Sequence, residues 1–181
     1  MAFEPSPYDV VEASRRVWLE RWDPEAASGN AVFTAILRSH QMLMHRVNGV
    51  MTAHGLTFPR YEVLAWLVAE PGSALTLGWI SEVLRIPPAT VTNLVDRLVA
   101  DGLVRRVPHP TDARTTLAEL TDHGRRVERD ATTELNDAVY RPLGLSVEER
   151  EQLVGLLHDL RARDGEFDTT RSSERIARLH P

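Results

Sequence analysis

Cysteine and lysine are both absent from the 181-residue sequence. Without cysteine the chain has no disulfide bonds, no thiolate nucleophile and no sulfur ligands for a metal ion. Histidine does not replace it, because His40, His45 and His54 are five and nine residues apart and none forms the i, i+4 pair of a helical metal site. We therefore expect no metal site and no cofactor.

The missing lysine means that all 21 basic residues are arginine. Forked guanidinium groups suit phosphate contacts, but codon usage in a GC-rich genome gives the same composition and is the simpler explanation. The formal net charge of −5 argues against a surface that is basic throughout. It leaves room for a local nucleic-acid surface, because electrostatic attraction depends on how charge is distributed.

Long apolar runs and catalytic glycine motifs are also missing. No run of about 18 apolar residues exists to cross a membrane, and the N-terminus lacks the basic and apolar segments of a signal peptide. We therefore expect a cytoplasmic protein with no membrane partner. The scattered glycines form neither a phosphate loop nor a nucleophile elbow, so an enzyme is not expected.

Apolar periodicity predicts a mainly α-helical chain. An N-terminal extension helix (1–29) precedes a main domain (30–165), and a polar tail (166–181) follows it. The segment "DPEAASGN" (23–30) is interpreted as the break after the extension helix.

Within the main domain, long amphipathic helices at about 30–54 and 122–163 flank a lobe at about 56–121, whose first helices are predicted at about 58–69 and, capped by Thr76, from about 77. The second flanking region is interrupted after about 140 and resumes at a capping box of Ser146 and Glu149. Apolar stripes on these flanking helices exceed what a lobe of about 65 residues can cover, which predicts dimerisation through them.

After the helices of the lobe, the spacing of apolar residues changes from helical to that of strands. The segments "LVRRV" (103–107) and "TTLAEL" (115–120) read as two short strands joined by a tip rich in proline and aspartate. Two helices separated by a tight turn and followed by a hairpin form a winged helix-turn-helix, in which the second helix enters the major groove of DNA. The fold class is therefore mainly α with a two-stranded β wing.

The predicted DNA-binding residues lie on the outer face of the second helix and on the wing. On an extended segment Asp112 and Arg114 point the same way, so we expect the carboxylate to hold the guanidinium by a charge-assisted bond. Arginine at a wing tip can enter the minor groove or contact phosphate. The full predicted set is Ala89, Thr90, Thr92, Asn93, Arg97, Arg105, Asp112 and Arg114.

Several motifs in this order resemble the MarR (multiple antibiotic resistance regulator) family. They are "GLTFPRYEVLAWL", "LTLGWISEVLRIPPATVTNLVDRLVADGLVRR", "HPTDARTT" and "ELTDHGR", and the resemblance runs from about residue 30 to 160. It includes the wing motif aspartate–any residue–arginine (112–114) and the leucine-threonine-x-x-glycine that ends at Gly124. The resemblance implies a homodimer that binds double-stranded DNA, with ligands bound between the dimer interface and the lobes.

The extension with Trp18 and Trp22 resembles the urate-responsive branch of that family. The position of that branch's aspartate holds Glu62, but the position of its recognition-helix arginine holds Leu94, so urate is not the expected ligand. A small aromatic or anionic effector is the alternative, and core or dimer packing also explains the tryptophans. The candidate ligand residues are Trp18, Arg38, His40, Glu62 and Trp66.

We expect a regulator, a dimeric repressor released by a ligand, that reads a pseudo-palindrome with half-sites about one helical turn, or roughly 34 Å, apart. The alternative is a winged-helix protein-interaction module that does not bind DNA. Residues 77–121 carry five arginines and five acidic residues. Because the lobe is neutral, DNA affinity would depend on individually placed contacts rather than on bulk charge.

Overall fold

A computed structural model describes residues 6–112 and 114–167. The described chain is mainly helical, as the sequence predicts, and carries one small antiparallel sheet. The elements in chain order are α1 (Val10–Leu19), α2 (Pro24–Ala53), α3 (Phe58–Ala69), β1 (Ala74–Thr76), α4 (Leu77–Leu84), α5 (Pro88–Ala100), β2 (Val104–Pro108), β3 (Thr116–Leu120), α6 (Asp122–Leu135) and α7 (Val147–Arg163).

The sheet has three strands rather than the two of the predicted hairpin. Its order is β1-β3-β2, and β1 pairs antiparallel with β3 through Leu75 opposite Ala118. The sequence pattern does not reveal β1, because this strand is three residues long and runs directly into α4, whose N-cap is Thr76. The extra strand anchors the wing hairpin to the first helix of the helix-turn-helix.

The long helix α2 begins at Pro24, six residues before its predicted start at about 30. The segment "DPEAASGN" (23–30), interpreted from the sequence as a break, belongs to α2 from Pro24 onwards, and α1 ends before it at Leu19. The Asp23 side chain accepts a hydrogen bond from the amide of Ala26 at 2.9 Å, and proline fits the first helical turn because its missing N–H is not needed there. The predicted extension 1–29 therefore ends inside α2.

The helix predicted over about 122–140 is α-helical only to Leu135. Residues Asn136–Tyr140 form a π-helical segment that keeps Val139 in the core. One extra residue per turn is not visible in an apolar pattern, so the sequence could not reveal it. The predicted capping box of α7 is confirmed, because Ser146 and Glu149 exchange hydrogen bonds between side chain and backbone.

The core lies where the end of α2, helices α3 to α6 and the sheet meet. At the junction of β2 and α6, the hydroxyl of Thr121 donates to the carbonyl of Gly102 at 2.8 Å and accepts from the amide of Gly124 at 3.0 Å. The motif that ends at Gly124 is therefore a helix cap that also clamps α6 to the start of β2.

Helices α1, α2 and α7 carry large apolar side chains on exposed surface. Phe33 is 67% exposed and Leu156 is 70% exposed, and α1 lies along α2. Of the described helices, none is long and apolar enough to cross a membrane. Residues 168–181, most of the predicted polar tail, lie outside the described part of the chain.

Candidate nucleic-acid interface

The turn between α4 and α5 is held by local hydrogen bonds. The Thr76 hydroxyl caps α4 by accepting from the amide of Trp79 at 3.0 Å. At the other end Arg85 adopts the left-handed conformation (φ 55°), and the Ser81 hydroxyl donates to the carbonyl of Ile86 at 2.7 Å. The conformation of Arg85 and the Ser81 bond hold the turn from which α5 begins.

Helix α5 separates an apolar inner face from a polar outer face. Val91, Val95 and Leu98 are fully buried and Leu94 is partly buried against the core, so the opposite face of the helix is presented to solvent. The five helix residues predicted to bind DNA are all exposed, as the pattern indicated: Ala89, Thr90, Thr92, Asn93 and Arg97.

One of these residues, Thr92, already uses its hydroxyl proton in a hydrogen bond within the helix. The Thr92 hydroxyl donates to the carbonyl of Pro88 at 3.0 Å, four residues earlier in the same helix. Its proton is therefore used inside the helix, and the outward-facing oxygen is an acceptor. At this position α5 presents an acceptor and a methyl group to solvent.

An ion pair between helix and wing was not predicted from the sequence. The guanidinium of Arg106 on β2 donates to the carboxylate of Asp96 on α5 at 2.7 Å. The two groups lie on different elements and reach solvent, and the pair connects the hairpin to α5. Only the three-dimensional pairing of β2 with α5 reveals it.

Arg105 points to the other side of the hairpin and is already paired. Its Nε and Nη2 atoms donate to both carboxylate oxygens of Glu119, its cross-strand partner, at 3.0 and 2.8 Å. The pairing raises the pKa of Arg105 and lowers the pKa of Glu119. A DNA contact by Arg105 stays a prediction, and it would have to share this arginine with Glu119.

The wing tip is organised by Asp112, but through the backbone. One carboxylate oxygen accepts from the amide of Arg114 at 3.0 Å and the other from the hydroxyl of Thr115 at 2.7 Å. Both bonds hold the pKa of Asp112 below its ordinary value, and the bond from Thr115 has the larger effect. The prediction that Asp112 grips the Arg114 guanidinium is wrong, because Asp112 bonds the backbone amide of Arg114 and the hydroxyl of Thr115 instead.

The exposed side chain of Arg114 therefore extends from a turn that Asp112 and Thr115 hold in shape. A second bond closes the tip, since the amide of His109 donates to the carbonyl of Thr115 at 3.1 Å. The wing presents its arginine on a defined loop beside α5. The aspartate–any residue–arginine motif is thus a turn motif that presents a cation.

A buried arginine on α3 is a further feature that sequence analysis missed. Arg60 is 9% exposed. It donates to the carbonyl of Gly55 at 3.2 Å and forms an ion pair with Asp101, which caps the C-terminal end of α5. Its spacing of three and four residues from Val63 and Leu64 was the available signal, because that spacing puts it on the inward face of α3.

The candidate ligand residues do not form one constellation. Glu62 and Trp66 are half-buried one turn apart on α3, and Trp66 packs edge-on against Trp79 with ring centroids 5.5 Å apart. Burial raises the pKa of Glu62. The remaining candidates, Trp18, Arg38 and His40, are exposed on α1 and α2.

The π-helical segment closes over the same part of α3. Burial raises the pKa of Tyr140, and the nearby Tyr61 and Glu62 add to the shift. The hydroxyl of Tyr61 in turn bonds that of Thr132 on α6 at 2.8 Å. Within residues 6–112 and 114–167, no cluster of three or more potential metal ligands is present.

Comparison with known proteins places this geometry in a family. The MarR family model matches residues 54–115, the lobe that contains α3, α4, α5 and most of the wing. The helix-turn-helix transcriptional regulator TtmR of Methylorubrum extorquens is 30% identical over 141 residues. That alignment covers 78% of this chain and 70% of TtmR.

Solved structures agree with the sequence relatives. Sco5413, a MarR family transcriptional regulator from Streptomyces coelicolor, is 38% identical with a TM-score of 0.70, and the match covers 78% of this chain and 98% of Sco5413. CouR from Rhodococcus jostii, bound to p-coumaroyl-CoA, is 26% identical with a TM-score of 0.61, over 72% of this chain and 90% of CouR. The chain therefore belongs to the MarR family of transcriptional regulators.

Proposed function

We propose that this chain is a homodimeric, sequence-specific DNA-binding regulator that represses transcription by occupying a pseudo-palindromic operator. The observation that carries the proposal is the exposed polar face of α5 beside a wing whose turn presents Arg114. Membership of a family of transcriptional regulators supports the same function.

The shape of α5 fits the major groove. Its first turns carry small or short side chains (Ala89, Thr90, Thr92 and Asn93), so the helix can approach base edges without a steric block. The Asn93 amide can donate and accept together, as recognition of adenine requires. Arg97, one turn later, is placed to contact phosphate, which adds affinity without sequence preference.

The dimer is proposed from the apolar surface that one chain leaves uncovered. Such patches on a soluble protein mark interaction surfaces, and here they occupy the helices at both ends of the domain. A two-fold axis through α1, α2 and α7 would bury them and would present two copies of α5 to one face of the duplex.

An effector is proposed to bind between the dimerisation helices and the lobe. The similar protein CouR is bound to p-coumaroyl-CoA. In this chain the half-buried Glu62 and Trp66 lie on α3 near the π-helical segment. A small aromatic molecule would stack on Trp66. Closure around it would move α3, which the Arg60–Asp101 ion pair connects to α5.

Selection from a pool of random duplexes tests the DNA-binding part of this proposal. We expect enrichment of an inverted repeat whose half-sites are centred about 10 base pairs apart. Analytical ultracentrifugation should then find two chains on each selected duplex. A pool that stays unenriched after several rounds would favour the alternative, a winged-helix module that binds protein.

A further inference from the structure

We propose that Arg60 is a positioning residue that sets the orientation of the recognition helix α5 relative to the long helix α2. In the proposed dimer this orientation fixes the distance between the two copies of α5, and hence the half-site spacing that the protein accepts. The inference rests on the proposed function, and it adds a specificity role for a residue that does not face DNA.

The guanidinium of Arg60 joins the ends of both helices. Helix α2 ends at Ala53, and the following turn contains Gly55 with φ +67°, whose carbonyl accepts from Nη1 of Arg60 at 3.2 Å. Helix α5 ends at Ala100, and the carboxylate of its capping residue Asp101 accepts from Nη2. Two donors of one rigid group therefore hold the two helix ends in a fixed relation.

Stability alone is a poor explanation for this residue. The ion pair is only partly buried, because the Asp101 side chain is 52% exposed, and ion pairs that solvent reaches contribute little to stability. The Nε atom of Arg60 is buried and has no hydrogen-bond partner in the described structure. An unmet buried donor costs on the order of 1–3 kcal/mol, whereas the planar fork gives two bonds in fixed directions that no apolar residue supplies.

The length of α2 makes the half-site spacing sensitive to small changes at the Arg60 contacts. Its 30 residues span about 45 Å at 1.5 Å per residue. Its first half carries exposed apolar residues of the proposed interface, and its end reaches the lobe through buried Val50 and Met51. In the proposed dimer, a tilt of the lobe about the end of α2 moves both copies of α5. The distance between them therefore changes by about twice the displacement of one copy. One base pair of spacing corresponds to only about 3.4 Å.

The test uses the full chain and three duplexes. These carry the selected operator and versions with one base pair added or removed between half-sites. Arg60→Met keeps the aliphatic stem but removes both bonds, and Asp101→Ala removes the partner. Arg125→Met on α6 is the matched control, because it likewise removes an arginine charge together with its hydrogen bond to the lobe, to Ser73 at 2.6 Å, without touching α5.

We expect wild type and Arg125→Met to discriminate strongly between the three spacings. Arg60→Met and Asp101→Ala should lose about tenfold in affinity at the native spacing but much less at the altered spacings, and the double variant should lose little more than either single variant. If Arg60 only stabilised the fold, measurements below the melting temperature would show unchanged ratios between spacings. Unchanged ratios would overturn the inference.

Hydrogen exchange without DNA separates this inference from the proposed function. In Arg60→Met, faster exchange should be confined to the last turn of α5 and to the turn at Gly55, with α6 and the sheet unchanged. Exchange identical to wild type, or raised throughout the lobe, would refute the positioning role. Failure of wild type to bind any duplex would refute the proposed function, and the exchange result would still decide the role of Arg60.

Discussion

Gly124 lies so close to Leu103 that a Cβ atom on the glycine would stand 2.0 Å from the carbonyl oxygen of Leu103. No real Cβ tolerates that separation, and the obstructing atom is backbone, which cannot rotate away. Together with the cap of Thr121, this contact is the physical reason for glycine in the motif that follows the wing.

We therefore predict that Gly124→Ala lowers the free energy of unfolding by about 2–3 kcal/mol, because α6 must move away from β2 to admit the methyl group. Gly78→Ala on α4 is the control. Its Cβ meets only the Thr76 hydroxyl, at 4.0 Å, and alanine in a helix is favoured over glycine by about 0.5–1 kcal/mol. Urea unfolding of both variants checks this, and equal stabilities would contradict the clash.

Glu62 gives a pH-dependent prediction. Burial raises its pKa above the ordinary value of 4.5, so the folded protein holds this proton more tightly than the unfolded chain. Its contribution to stability is therefore greatest below about pH 4.5 and is lost as the pH rises through the folded-state pKa.

Glu62→Gln removes the charged form altogether. The variant should be more stable than wild type at pH 7, by less than about 1 kcal/mol because the carboxylate stays partly solvated. The two proteins should approach equal stability near pH 4. Thermal unfolding at both pH values measures this, and a stability difference that does not change with pH would show that burial does not penalise the charge.

Asp112 is predicted to act on the wing turn rather than on the Arg114 side chain. Bonds from Thr115 and Arg114 lower the pKa of Asp112 below its ordinary value of 3.8. The ordered turn is therefore fully stabilised above pH 3.8, and this stabilisation is lost as the pH falls through the lower folded-state pKa of Asp112. In NMR spectra the amide proton of Arg114 should titrate with a midpoint below 3.8. A midpoint at or above that value would contradict the turn assignment.

Asn93 is predicted to carry base preference. Asn93→Ala should relax selection at one position of each half-site while it changes the affinity for non-specific DNA little, since base contacts specify and phosphate contacts position. Arg97→Ala, on the same exposed face, is the matched variant and should weaken all sequences alike. Selection from random duplexes that returns the wild-type site with Asn93→Ala would disprove the assignment.

Sequence periodicity was sufficient for most of the fold. It predicted the bounds of α3, the cap of α4 and the capping box of α7, because these depend on local rules of spacing and capping. It missed β1, which exists only through pairing with β3. It also placed the start of α2 too late, because the whole segment "DPEAASGN" was interpreted as a break, whereas Pro24 fits the first turn of the helix.

In the candidate site, too, the sequence predicts the local features but not the contacts between separate elements. The exposed face of α5 follows from helical spacing within one segment, so the sequence predicts it directly. The pairs Asp96–Arg106 and Arg60–Asp101 join residues that are distant along the chain, and no local pattern reveals them. The error at Asp112 had another cause, since a two-residue spacing assumes extended backbone whereas the tip is a turn.

The central claim is DNA binding through α5 and the wing, and fluorescence anisotropy on labelled DNA that flanks the protein's own gene tests it most directly. Wild type, Arg114→Ala and the remote control Arg141→Ala, whose partner is Asp137 on the π-helical segment, would be titrated at several salt concentrations. We predict tight wild-type binding that resists competitor DNA and is unchanged in the control. Arg114→Ala should bind more weakly, with a salt slope reduced by about one. Equal affinities and slopes for Arg114→Ala and wild type, or no binding by any of the three to this or any selected duplex, would contradict the account.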